Sequence, residues 1–121
     1  MIHRGSILLA EDGARRLEAY RAAPEAPGRA GLVILHDMFG MTRPFHDLAD
    51  DFAAAGHPVL VPNLFWRADF DGLLSYETGH QAAWARLERF DFGAAVADVR
   101  LALAALRRPP GGQKAAVLGF C

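Results

Sequence analysis

The feature that most constrains this fold is an alternation of short, continuous apolar runs with segments whose apolar residues recur at helical spacing. Leu32–Leu35 is apolar at every position, as in a strand buried on both faces. The next segment is predicted to be a helix, because apolar side chains recur at i, i+3, i+4 and i+7. They are Phe45, Leu48, Ala49 and Phe52. A second apolar run, Pro58–Pro62, follows. This order predicts a β-α-β unit with parallel strands and a right-handed crossover.

Residues at the ends of this helix support its limits. Thr42 can cap the first turn, and Pro44 suits a position within it. Gly56 stands where a C-terminal cap belongs. We therefore expect the helix to lie between Thr42 and Gly56.

The rest of the chain continues the pattern. Leu17–Ala23 is interpreted as a strand that returns antiparallel to an earlier one, although its composition equally suggests a helix. Asn63–Tyr76 is a long connection, and loops of that length are often functional. The other predicted elements are a strand at Ser6–Ala10, helices at Glu77–Arg89 and from the cap Asp91 to about Arg107, and a strand at Lys114–Leu118. The last helix carries an apolar stripe that is predicted to be core: Phe92, Val96, Val99, Leu103 and Leu106.

Composition narrows the function classes. The net charge of −1 gives no field that would attract nucleic acid or an anionic membrane. No apolar run is long enough to span a bilayer, and Met1–Gly5 lacks the apolar core of a signal peptide. The single cysteine excludes an internal disulfide, which suits a reducing compartment. We expect a cytoplasmic protein.

The segment Gly119-Phe120-Cys121 directly follows the last predicted strand. It matches the first half of a glycine–X–nucleophile–X–glycine turn, which exposes a side chain above a sheet. A thiolate there would be stabilised by the positive end of a following helix. A buried, inert cysteine after a core strand explains these three residues equally well.

A second polar segment, His36-Asp37-Met38-Phe39-Gly40, follows the strand Leu32–Leu35. Ligand-binding and catalytic groups in open α/β sheets gather at the carboxyl ends of strands, so this segment and Cys121 are expected on one rim. The alternative is a polar strand end at which Asp37 caps nearby backbone amides. His36-Asp37 and His46-Asp47 match no metal-ligand spacing, so no metal is expected.

At this point the sequence resembles the dienelactone hydrolase (carboxymethylenebutenolidase) family of α/β-hydrolases. Three blocks carry the resemblance, in the order in which they occur in the family. They are Leu32–Gly40, His57–Arg67, and Phe90-Asp91 with the helix and the strand that lead to Cys121. The resemblance covers essentially the whole chain.

The resemblance implies a mostly parallel α/β sheet with helices on both faces, of which residues 1–121 are the N-terminal half of one domain. It also implies a Cys-His-Asp triad whose nucleophile is Cys121. Asp37 would help to form the thiolate, and the Met38 amide would bind the oxyanion. The triad His and Asp would lie in a C-terminal half that this sequence does not contain, and no cofactor is required.

The sequence departs from the family pattern at three places. Asp37 stands where a glutamate is more frequent, and Asn63 replaces an aspartate. The position of the family's arginine that binds a substrate carboxylate falls near His80 when no gaps are introduced, and a neighbouring aromatic falls at Trp84. Phe65-Trp66-Arg67 either lines a pocket or anchors its loop by aromatic burial, and Trp84 lies either in a pocket or in the core. The candidate substrate-binding residues are His36, Phe39, Trp66, His80 and Trp84.

Three functional hypotheses follow. The first is a hydrolase that cleaves a small-molecule ester, lactone or thioester through Cys121. The second is a catalytically lapsed binding or regulatory module, and the third is an active enzyme with another specificity, for simple esters. We expect a monomer or homodimer, and we expect residues 1–121 alone to be inactive and poorly folded, because their sheet would have a bare edge.

Overall fold

The structure is a computed structural model, and it describes residues 1–26, 28–68, 73–107 and 114–120. Five strands and three helices lie within these residues. The strands are β1 (Ile2–Asp12), β2 (Arg15–Pro24), β3 (Gly31–Leu35), β4 (Val59–Pro62) and β5 (Ala115–Gly119). The helices are α1 (Arg43–Ala54), α2 (His80–Glu88) and α3 (Phe92–Arg107).

The strands form one mixed sheet in the order β1-β2-β4-β3-β5. β1 pairs antiparallel with β2, and β2 pairs antiparallel with β4. β3 pairs in parallel with both β4 and β5, so the carboxyl ends of these three strands share one edge of the sheet. The β-α-β unit that the apolar runs predicted is confirmed.

The sheet is covered on both faces by helices. Neighbouring residues of a strand point to opposite faces, and Val33 and Ile34 of β3 accordingly belong to different core clusters. Ile34 packs with Phe45 and Ala49 of α1, whereas Val33 packs with Ala102 of α3. The predicted α/β architecture with helices on both faces is therefore confirmed for this part of the fold.

Several predicted boundaries differ from the observed ones. The interpretation of Leu17–Ala23 as an antiparallel strand is confirmed, with the longer bounds Arg15–Pro24, and its side chains alternate between the two helical layers. β1 extends well beyond Ser6–Ala10, since the hairpin ladder with β2 continues from Ile2 to Asp12. α2 begins at His80 and not at Glu77, because the residues just before it form a turn around the Ser75 hydroxyl.

Thr42 lies at the cap position of α1, but its side chain makes no capping hydrogen bond. Its carbonyl oxygen accepts the N–H groups of Phe45 and His46 instead, and its hydroxyl contacts the Tyr76 hydroxyl. Gly56 follows the helix with φ of 104°, the left-handed conformation that ends many helices. The predicted limits of α1 are thus confirmed, while the side-chain cap is wrong.

The predicted apolar stripe of α3 is wrong at its N-terminal end. Phe92 is 67% exposed and Val96 is 53% exposed. The helix buries Ala95, Asp98 and Ala102 instead, a face rotated from the apolar stripe. Two causes are visible: alanine lets the helix approach the sheet closely, and the Asp98 carboxylate is satisfied by hydrogen bonds in its buried position.

Among the described residues, no helix has the length and apolar character needed to cross a lipid bilayer.

Candidate active site

The candidate site begins where two neighbouring parallel strands end. Leu35, the last residue of β3, lies opposite Gly119, the last residue of β5. His36-Asp37 and Phe120 therefore leave the sheet side by side. The Phe45 ring of α1 links them, at 6.5 Å from the His36 ring and 5.6 Å from the Phe120 ring, centroid to centroid. The predicted nucleophile Cys121 lies outside the described residues.

His36 is buried, and both of its ring nitrogens are hydrogen-bonded. The Leu64 amide donates to Nε2 at 3.0 Å, and Nδ1 lies 2.8 Å from the Asp37 carbonyl oxygen. Because a backbone amide only donates, Nε2 must be unprotonated and the ring proton must lie on Nδ1. Burial lowers the pKa of His36 to about 4, so the ring is neutral at neutral pH. His36 is therefore a structural link between the loops after β3 and β4.

Asp37 opens a tight turn that closes at Gly40. The Gly40 amide donates to the Asp37 carbonyl at 3.1 Å, and Gly40 has φ of 100°, which favours glycine. The Phe39 amide donates to Asp37 Oδ1 at 3.0 Å. One carboxylate oxygen thus caps a local amide, as the alternative interpretation of this segment expected. Asp37 also lines a groove between this rim and α3.

Met38 lies at the top of this turn, half-buried beside the rim. Its amide has no hydrogen-bond acceptor among the described residues. Its carbonyl oxygen accepts a hydrogen bond of 2.6 Å from Arg86 Nη2. The amide is thus available to a ligand while the carbonyl is held from α2.

The Phe65 ring joins the two side chains that hold this turn. It lies 5.3 Å from the His36 ring, and the Arg86 guanidinium carbon lies 3.7 Å from its centroid. Phe65 in turn follows Asn63, whose side-chain oxygen accepts the Phe65 amide at 3.1 Å. Asn63 therefore shapes the turn after β4 without the negative charge of the family's aspartate.

Residues 73–80 pack on the outer side of the turn. The Leu74 amide donates to the Phe39 carbonyl at 2.9 Å. The Tyr76 and His80 rings contact the buried Phe39 ring at 4.7 and 5.0 Å. His80 itself is exposed at the start of α2. The structure thus brings Phe39 and His80 together, both of which were predicted to bind substrate.

The two tryptophans occupy contrasting places. Trp66 is 6% exposed, and its Nε1–H donates to Asp98 at 3.1 Å. Its contacts are those of a loop anchor, the alternative considered from the sequence, and it does not border the groove beside Asp37. Trp84 is 57% exposed on α2, so of the two alternatives for this residue the one that places it in the core is wrong.

A groove of about 630 Å³ lies between the rim and α3. Asp37 and Met38 line it beside the rim, and Arg100 of α3 lines it as well. The rest of its lining is mostly apolar and includes Phe65, Phe90, Phe92 and Val96. The side chains that were wrongly assigned to the core of α3 are therefore exposed to this groove.

Two residues of this region were not singled out from the sequence. Arg86 is buried although it belongs to a helix with otherwise ordinary surface composition, and Asp98 interrupts an apolar helix. Helical spacing places Asp98 beside residues that are predicted to be buried. A charged residue at such a position indicates a buried and paired side chain, so Asp98 could have been found from the sequence. Arg86 offers no comparable signal, because its partner is a backbone carbonyl distant in sequence. Among the described residues, no three His, Cys, Asp or Glu side chains cluster as metal ligands do.

Comparison with known sequences gives a consistent result. The profile of the dienelactone hydrolase family matches residues 17–121. A carboxymethylenebutenolidase of Rhodococcus opacus is 33% identical over 90 residues, which are 74% of this chain and 33% of that protein. An Azospirillum brasilense protein assigned as a carboxymethylenebutenolidase is 42% identical over 65 residues, 53% of this chain and 27% of that protein. The chain spans about a third of these relatives.

Solved structures show the same fold. A Klebsiella pneumoniae protein assigned as a dienelactone hydrolase superposes with a TM-score of 0.79 at 19% identity, over 100% of this chain and 50% of that one. A dienelactone hydrolase-like promiscuous phosphotriesterase from metagenomic libraries gives 0.66 at 21% identity, over 99% and 49%. At such identities the likeness establishes the α/β-hydrolase fold, and it spans half of each neighbour. With the profile match over residues 17–121, it follows that this chain belongs to the dienelactone hydrolase family.

Proposed function

We propose that the protein containing these residues hydrolyses a small-molecule ester, lactone or thioester with Cys121 as the nucleophile. The observation that carries this proposal is the pairing of Leu35 with Gly119. It sets Asp37 and Met38 beyond one strand end, and Cys121 follows two residues after the other in sequence. Family membership supports hydrolysis of a lactone or ester in general terms.

In the proposed reaction, the Cys121 thiolate adds to the substrate carbonyl carbon and forms a C–S bond. The carbonyl electron pair moves to oxygen, and the Met38 N–H donates to that oxyanion. The bond to the leaving group then breaks, and the leaving group takes a proton. Water adds to the thioester, releases the acid and regenerates the thiolate. A histidine and an aspartate of the C-terminal half would carry the protons.

Asp37 is proposed to help form the thiolate. Its Oδ1 accepts the Phe39 amide, which leaves Oδ2 for a thiol proton. Since the side chain is one methylene shorter than glutamate, its position depends on the tight turn closed by Gly40. This dependence gives the local backbone geometry a direct role in the proposed chemistry.

The groove bears on the substrate class. Its lining is mostly apolar and aromatic, which suits the hydrophobic part of an ester, and Arg100 is the cationic side chain among its described lining residues. His80 stands near the position at which the family places a carboxylate-binding arginine, and it packs edge-on against Phe39. We therefore propose simple apolar esters as better substrates than dienelactone carboxylates. His80 and Trp84 do not line this groove. They remain proposed substrate contacts only for a part of the substrate that extends beyond the groove to the exposed side of α2.

The proposal is tested by thiol reactivity and turnover in the full-length protein. Cys121 should react rapidly with iodoacetamide at about pH 6, since an activated thiolate is already present there. Hydrolysis of p-nitrophenyl acetate should be abolished by Cys121→Ala and reduced by Asp37→Asn, which keeps the shape and the amide acceptor of Asp37 but removes its charge. A slow thiol together with no turnover would favour the alternative, a binding or regulatory module.

A further inference from the structure

The direction of the Met38 N–H is fixed from the other end of the same peptide group. The peptide between Asp37 and Met38 is planar, so its N–H points opposite to its C=O when the bond is trans. That carbonyl oxygen accepts two hydrogen bonds, from His36 Nδ1 at 2.8 Å and from Gly40 N at 3.1 Å. Both donors pull the carbonyl to one side, and the Met38 amide consequently faces the other.

His36 can perform this role because only one of its tautomers fits. The Leu64 amide requires a lone pair on Nε2, which leaves the proton on Nδ1 to be donated to Asp37. With both nitrogens engaged, the imidazole has no capacity for a substrate hydrogen bond or for general-base catalysis. This argues against the sequence-based expectation that His36 binds substrate.

Arg86 holds the following peptide. Its Nη2 donates to the Met38 carbonyl at 2.6 Å, and its guanidinium carbon lies over the Phe65 ring. A charge-assisted hydrogen bond of this kind is stronger than one between neutral groups. The peptides on both sides of the Met38 α-carbon are therefore each restrained by a buried side chain.

We propose that His36 and Arg86 are positioning residues that aim the Met38 amide at the oxyanion of the reaction. The inference rests on the proposed function, and it adds how the oxyanion donor is oriented in this chain. Neither side chain touches substrate in this scheme. Both act by restraining a peptide group, His36 the one before Met38 and Arg86 the one after it.

Two substitutions at His36 separate its two hydrogen bonds. In His36→Gln, the side-chain oxygen can reach the Nε2 position and accept the Leu64 amide, but no donor remains near Nδ1. In His36→Asn, the side-chain amide can donate to the Asp37 carbonyl, but nothing replaces Nε2. We expect His36→Gln to lower kcat for p-nitrophenyl acetate by ~10-fold or more with KM within about two-fold, since removing one oxyanion donor costs ~10²–10³. His36→Asn should recover part of the kcat that His36→Gln loses, but unfold at a lower denaturant concentration.

Arg86 provides an independent pair in case a His36 variant does not fold. Arg86→Met keeps the packing against Phe65 and removes the donor, whereas Arg86→Lys retains one ammonium donor. We expect Arg86→Met to lower kcat without raising KM, and Arg86→Lys to recover part of the loss. Iodoacetamide alkylation of Cys121 should be unchanged in all four variants, because displacement at a methylene carbon generates no oxyanion. A merely structural role would lower alkylation and turnover together.

The outcomes separate this inference from the proposed function. If the wild-type protein hydrolyses the ester but His36→Gln and Arg86→Met retain full kcat, the positioning role is refuted and the hydrolase remains. If the wild-type protein shows neither turnover nor a reactive thiol, both are refuted. Reduced kcat with unchanged KM and unchanged alkylation in His36→Gln and Arg86→Met supports both.

Discussion

The Asp98 carboxylate receives both terminal nitrogens of the Arg67 guanidinium, at 2.8 and 2.9 Å. A third hydrogen bond, from Trp66 Nε1, reaches the same carboxylate at 3.1 Å. The Asp98 side chain is almost completely buried, whereas that of Arg67 remains partly exposed. Asp98 of α3 therefore binds the loop after β4 through Trp66 and Arg67. The same loop contains Leu64 and Phe65, which contact the candidate site.

Replacing Asp98 with asparagine should destabilise the full-length protein by about 1–3 kcal/mol, because the bidentate hydrogen bond with Arg67 is lost, although water can reach the Arg67 charge. Urea unfolding followed by circular dichroism measures this change. Asp47→Asn is the matched control: its ion pair with Arg43 is 3.9 Å long and exposed. That control should change the unfolding free energy by less than about 0.5 kcal/mol. Equal effects of the two substitutions would contradict the assigned role of Asp98.

Stability should fall between about pH 6.5 and pH 4 because of His36. Burial lowers its pKa to about 4 from an ordinary value of 6.5, so in this range the unfolded chain binds a proton that the folded chain does not. Stability is therefore full above pH 6.5 and is lost as the pH approaches 4, by about 3 kcal/mol in total. Arg86 further lowers this pKa, and Asp37 opposes the shift.

The measurement is urea unfolding at several pH values in wild type and in His36→Asn, which cannot titrate. Burial also lowers the pKa of His46, which contributes with the same sign in both proteins. The difference between the two stability profiles therefore isolates His36. Parallel profiles would show that His36 titrates normally in the folded protein.

Gly56→Ala should destabilise the protein by about 1 kcal/mol, since a residue with a Cβ is disfavoured at φ of 104°. The added Cβ would also come within 3.2 Å of the Arg29 side chain, which is flexible enough to move. Gly5→Ala is the control, because a Cβ there meets nothing within 4 Å and its φ is ordinary. Thermal unfolding should show a lower midpoint for Gly56→Ala and no decrease for Gly5→Ala.

The two tryptophans should separate binding from stability. Trp84→Ala should change the unfolding free energy by less than about 0.5 kcal/mol, because the side chain is largely exposed. Its effect should appear as a raised KM for aromatic esters. Trp66→Phe should instead destabilise by about 1–2 kcal/mol with little change in KM, because it removes a buried donor to Asp98. Steady-state kinetics and urea unfolding on the same samples test both expectations, and a Trp84→Ala variant with unchanged KM would exclude its substrate contact.

The sequence could predict those parts of the fold in which the apolar residues of the pattern are also the residues that the structure buries. Leu32–Leu35 is apolar throughout because α1 and α3 cover both faces of β3. Gly56 marks the end of α1 because the backbone there needs a positive φ. The position of Asp37 and Met38 at a strand end followed from the same reasoning and agrees with the structure.

The remainder depends on contacts between distant residues. The buried face of α3 was misassigned because Asp98 is stabilised by Arg67 and Trp66, which helical periodicity does not register. Arg86 was overlooked because its partner is the carbonyl of Met38, 48 residues earlier. A backbone carbonyl is present at every position, so no residue pattern could identify this one.

Three residues that follow β4, Leu64, Leu74 and Arg86, all contact the short turn after β3, and this limits how the protein can be re-engineered. Leu64, Leu74 and Arg86 each hold a different backbone or ring atom of residues 36–39. A chimaera could take the segment that contains Leu64, Leu74 and Arg86 from a relative in order to change the substrate range. Such a chimaera would also replace the contacts that hold the turn in place. Such a graft should succeed only when residue 36 is exchanged together with it. The turn after β3 and the segment that contacts it therefore have to be replaced together.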